Sequence, residues 1–151
     1  MMRRWLLVVS VVFSVALGVV GVAAAEVGGR PVSAGLTGAA EVPGPGDVDA
    51  VGAATITLNQ GLGSVCFELS WEDIDGTVVA AHIHSGTADV AGPVVVTLFT
   101  GAFDSTDAVG DCVEGVDRAL VKAIRQDPTS YYVNVHSDTF PAGAIRGQLS
   151  R

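Results

Sequence analysis

The chain has 151 residues, eight Lys and Arg against sixteen Asp and Glu, a formal net charge of −8, and hydrophobic side chains at 49% of its positions. That length holds one domain with a real core. An acidic balance without any basic cluster excludes nucleic acid and anionic lipid as expected partners and attracts cations in general.

The amino end, MMRRWLLVVSVVFSVALGVVGVAAA, has Arg3 and Arg4, an apolar run from Trp5 to about Val22, and the triplet Ala23-Ala24-Ala25. Charged start, apolar middle and small-residue end mark a secretory signal peptide over residues 1–25. The run approaches spanning length, so an uncleaved anchor helix is the alternative reading. No cysteine stands near the cleavage point, which argues against a lipid anchor. Cleavage leaves residues 26–151 as the mature domain, with six basic and sixteen acidic residues and a net charge of −10. No later stretch is apolar for long enough to span a membrane, so the expected location is extracellular.

Strand signals follow at the spacing of an all-β domain. Residues 32–42 form the first candidate, closed by Pro43-Gly44-Pro45-Gly46, which cannot continue a sheet. Residues 53–58 alternate Ala54, Ile56 and Leu58 with Ala53, Thr55 and Thr57; residues 65–71 place Val65, Phe67, Leu69 and Trp71 on one face. Glu72-Asp73-Ile74-Asp75-Gly76 is an acidic turn, and it lacks the closing carboxylate of a calcium loop.

Residues 78–84 form the next strand, and side-chain alternation sends His82 and His84 out of the same face. Residues 93–99 are a nearly continuous apolar run, as expected of a strand buried on both sides or set deep in a sandwich. Residues 101–115, rich in Gly and Asp, read as a long surface loop. In 116–126, Val116, Leu120 and Ile124 make one helical stripe, with Asp117 placed to cap its start and Asp127-Pro128 to end it. Two final strands, 131–136 and 144–149, flank the turn Phe140-Pro141-Ala142-Gly143. Seven or so strands and one short helix predict an antiparallel β-sandwich.

Cys66 and Cys112 are the two cysteines, with one possible pairing if the chain is exported. A bridge would tie a strand to the acidic loop, close 47 residues and contribute about 4 kcal/mol of chain entropy. The alternative is a metal-ligating or reactive thiol.

The chain has three histidines. In Tyr131-Tyr132-Val133-Asn134-Val135-His136, one face carries Tyr132, Asn134 and His136. If this strand neighbours 78–84, three imidazoles converge, a donor set that suits zinc or copper. The alternatives are rings satisfied by backbone carbonyls or Asn134, with no cofactor at all, or a metal-free base; no nucleophile motif accompanies the latter. Arg146 is placed to pair with Glu41 or Glu68 across the sheet. Arg146 and Tyr132 are also candidates for contact with an extracellular protein or cell-surface partner.

AAHIHSGTADVAGPVVVTLF, YYVNVHSDTFPAGAIRGQL and LTGAAEVPG together resemble a CHRD domain, the module first described as repeats in chordin and found singly in secreted bacterial proteins. The resemblance runs from about Val32 to Leu149, and Ala144 departs from it where the family often has an acidic residue. It implies an immunoglobulin-like β-sandwich or barrel and no established reaction, so the expectation is a non-enzymatic extracellular binding or structural module. The family is distantly similar to copper/zinc superoxide dismutases. On that likeness His82 and His84 resemble a pair of copper ligands and His136 a further one, while a zinc loop and a bridging histidine have no counterpart.

Overall fold

The computed structural model describes residues 30–151; the expected signal peptide lies outside the described residues. Eight strands form one antiparallel sheet: β1 (Arg30–Thr37), β2 (Val51–Asn59), β3 (Ser64–Glu72), β4 (Val78–Ser85), β5 (Val94–Phe103), β6 (Asp107–Val113), β7 (Tyr131–Ser137) and β8 (Ile145–Gln148). Their order is β5-β4-β7-β8-β1-β2-β3-β6. Among the described residues no helix is long and apolar enough to cross a membrane.

Alternation builds the core. Val32, Ala34 and Leu36 of β1, Ala54, Ile56 and Leu58 of β2, and Val65, Phe67, Leu69 and Trp71 of β3 are all buried, while the residues between them are exposed or half-buried. Each large side chain taken from water contributes roughly 1.5–3 kcal/mol. The sheet curls on itself until its ends meet. Phe99 of β5 lies 6.3 Å from Phe67 and 5.9 Å from Trp71 between ring centroids, and Phe103 meets Trp71 edge-on at 5.9 Å. The Trp71 indole N–H donates to the Asp104 carbonyl at 2.9 Å, so the ring is buried without an orphaned donor. The result is the expected all-β barrel or sandwich.

Among the described residues one α-helix, α1 (Arg118–Gln126), begins two residues later than its apolar stripe suggests. The Asp117 carboxylate accepts from the Ala119 amide at 2.9 Å and sets that start. Val121 and Ile124 are the buried side chains of its inner face.

Three expectations are corrected. The first strand stops at Thr37, because Gly38–Ala40 winds into a 3-10 turn instead of extending to residue 42. Residues 101–115 are not a long loop: β5 runs on to Phe103, and β6 pairs with β3 from Trp71↔Asp107 to Val65↔Val113. Gly and Asp are poor strand formers by propensity, but here they sit on an exposed edge strand held by its partner's ladder. That ladder puts Cys66 directly opposite Cys112, and the two form a disulfide across adjacent strands. Finally, the run 93–99 is not buried on both sides. β5 pairs with β4 alone, interrupted by register shifts, and only Val96 and Leu98 are deeply buried while Val94 stays 48% exposed.

Candidate metal centre

β4, β7 and β8 turn one face to the core and the other to a second buried layer. Ala81 and Ile83, Val133 and Val135, and Ile145 are the inward set. The outward set is polar and follows the pairing. His82 stands opposite Asn134, which stands opposite Arg146; His84 stands opposite Tyr132, which stands opposite Gln148; His136 is level with Ala80. β4 and β7 are therefore neighbours, and the three histidines share a face.

Three loops close over this layer. Residues 86–92 lie across His84 and Arg146: the His84 Nδ1 meets the Gly92 carbonyl at 2.9 Å, and the Arg146 Nη2 donates to the Thr87 carbonyl at 2.8 Å. Gly92 admits no side chain, since a Cβ there would fall 1.5 Å from the Ser85 carbonyl oxygen. The turn between β7 and β8 supplies the Pro141 carbonyl, 3.2 Å from His136 Nδ1. The segment after β1 supplies Glu41, which accepts from the Asn134 side-chain amide at 3.2 Å.

The three imidazoles each offer a ring nitrogen, and these atoms all lie within 4.8 Å of one another. Ring centroids are 4.9 Å apart for His82 and His136, 5.7 Å for His82 and His84, and 6.1 Å for His84 and His136. A carbonyl only accepts, so Nδ1 of His84 and of His136 carries the proton and Nε2 keeps its lone pair. Those two Nε2 atoms, and Nδ1 of His82, are buried and have no hydrogen-bond partner. The expected carbonyl bonds thus exist, but in His84 and His136 they engage Nδ1 and leave Nε2 free. Nitrogens bound at 2.0–2.1 Å to one ion stand no more than about 4 Å apart. Three around one ion stand about 3.3–3.6 Å apart, so closure by up to about 1.2–1.5 Å would convert the cluster into a ligand set.

Electrostatics prepare the same outcome. Burial, then the neighbouring His136 and His84, push His82 down to about 4. Burial lowers His84 and His136 as well, against the raising effect of their carbonyl bonds. Burial thus favours the neutral form of each ring, the form whose lone pair a metal takes.

Arg146 and Tyr132 are 1% and 2% exposed. Both side chains are internal. The guanidinium carbon lies 3.4 Å from the Tyr132 ring centroid, and that ring stacks on His84 at 4.8 Å, tilted by 14°. The Tyr132 hydroxyl accepts from the Gly92 amide at 3.0 Å. Of the two carboxylates expected near Arg146, Glu68 is on β3, three strands from β8 in the sheet order, with its side chain exposed. Glu41 is the one whose charge Arg146 influences. Sequence reading missed Gly92 and Thr87, which act through backbone atoms and leave no side-chain signature.

Away from this layer, a groove of about 490 Å³ on β2, β3 and β6 has Glu68 as its single charged lining residue. It offers nothing comparable. A family model of the CHRD domain matches residues 32–149. No curated protein and no solved structure matches the chain. The likeness to superoxide dismutases therefore has no support beyond the spacing of the histidines.

Proposed function

The chain belongs to the CHRD-domain family, and on that premise we propose that it is an extracellular binding module whose ligand is a copper or zinc ion held by His82, His84 and His136. One observation carries the reading: His82, His84 and His136 offer ring nitrogens within 4.8 Å of one another, and each ring has a buried nitrogen without a hydrogen-bond partner. A buried polar atom left unpaired costs about 1–3 kcal/mol, and three at one point make a shared ion the common solution. The Gly92 and Pro141 carbonyls orient His84 and His136 from behind, the arrangement that fixes the tautomer of a ligating imidazole. Export by removal of residues 1–25 belongs to the same proposal, and the Cys66–Cys112 bridge fits an oxidising compartment.

Protein purified from an exporting host and dialysed against trace copper and zinc should carry close to one ion per chain. His84→Ala should abolish that loading while leaving the far-ultraviolet circular dichroism unchanged. Wild-type protein that stays metal-free, with thermal unfolding unmoved by either ion, would dispose of the proposal.

A further inference from the structure

We infer that this centre selects monovalent copper over divalent ions, because Arg146 sets an uncompensated positive charge beside a ligand set that contains no negative one. The inference rests on the three-histidine reading and adds to it the identity of the ion. Imidazole serves copper and zinc alike, so donor type does not choose between them. Charge does.

The Arg146 side chain is 1% exposed. Its hydrogen bond among the described residues goes to the Thr87 carbonyl, and Nη1 is buried without a partner. The Tyr132 ring centroid is 3.4 Å from the guanidinium carbon and 4.8 Å from the His84 ring, so the charge stands no farther than about 8 Å from that ring when the two separations are laid end to end. Glu41 is the carboxyl that senses Arg146, and burial pushes it up to about 7, so below that pH it is neutral and offers no counter-charge.

A fixed charge repels a divalent ion twice as strongly as a monovalent one, and the cost of desolvating an ion rises with the square of its charge. The cluster supplies three neutral nitrogens and no carboxylate. Three nitrogens satisfy cuprous copper, whereas zinc takes a fourth ligand. Every contribution ranks the monovalent ion first.

The test uses the metal-free full-length protein near pH 6. Affinities are measured separately for cuprous ion (held reduced by ascorbate without oxygen, in competition with a chromophoric cuprous chelator), for zinc and for cupric ion. Cuprous ion should bind tightest. At roughly 8 to 10 Å and an effective dielectric near 20, Arg146→Gln should raise cuprous affinity roughly 15- to 30-fold, and zinc affinity by the square of that factor. Arg146→Lys, which keeps the charge but not the planar stack, should preserve the wild-type order. Zinc binding wild type as tightly as cuprous ion, or Arg146→Gln changing both by one common factor, overturns the inference and leaves the metal centre standing. Absence of binding by any of the three ions would remove the centre itself. Should the Gln variant fail to fold, the wild-type ranking alone decides.

Discussion

Replacing Glu41 by Gln should change how stability depends on pH, by an amount the surroundings of this carboxyl dictate. Glu41 is 7% exposed; Oε2 accepts from Asn134 at 3.2 Å and Oε1 has no partner. The carboxyl is pressed so closely on Gly143 that a Cβ there would lie 2.6 Å from both of its oxygens. Desolvation outweighs the lowering effects of Arg146, Asn134 and the Val42 amide, and raises the group from 4.5 to about 7. Between those values the folded protein binds a proton that the unfolded chain has released. The stabilisation is therefore complete below 4.5 and is lost as pH rises through 7, a total of about 3 kcal/mol. Glutamine keeps the neutral shape at every pH. Other groups titrate alike in both proteins and cancel in the comparison. Urea unfolding at several pH values should thus show Glu41→Gln gaining about 3 kcal/mol on wild type between the acid and neutral ends, a relative midpoint shift of roughly 1–3 M. A difference that stays constant with pH would refute the reasoning.

For His82 the sign reverses: the folded state binds fewer protons between about 4 and 6.5, so stability is gained as pH rises through that window. The full shift corresponds to about 3 kcal/mol, and solvent screening at this half-buried ring reduces it to roughly half; metal-free wild type should gain that much on His82→Gln over the window, and parallel curves would contradict it. Changing Cys66 and Cys112 together to Ser removes a bridge between residues 46 apart. It should cost about 4 kcal/mol and lower the thermal midpoint by roughly 10–20 °C; a loss of only a few degrees would mean that the β3–β6 ladder alone confines the chain. Gly92→Ala forces a methyl to within 1.5 Å of the Ser85 carbonyl oxygen and must displace the loop that holds His84. Metal affinity should fall roughly 10- to 100-fold, and calorimetric titration showing wild-type affinity would count against that role for the loop.

The elements legible in the sequence were those whose burial alternates. Val65, Phe67, Leu69 and Trp71 announce β3 because every second residue must leave water. β6 was hidden for the converse reason: its Asp, Gly and Cys residues bury little, and it exists because β3 offers a ladder to complete. The apolar run of β5 misled in the other direction, since apolar composition cannot distinguish a central strand from an edge whose first valines, Val94 and Val95, remain partly in solvent. At the site, the spacing of His82 and His84 was readable from strand geometry alone. Bringing in His136 required β7 to lie beside β4, which is a matter of topology. The contact between Asn134 and Glu41 joins residues 93 apart, and no local pattern predicts it.

β7 has a consequence of its own. Val133 and Val135 belong to the barrel interior, while Tyr132, Asn134 and His136 lie beneath the loops on the opposite side. Two independent demands are thus written on interleaved positions of one seven-residue segment. Exchanges at one parity tax the scaffold, and exchanges at the other re-equip the layer above it without repacking what lies below. A domain built this way can change or lose its ligand while its shape endures.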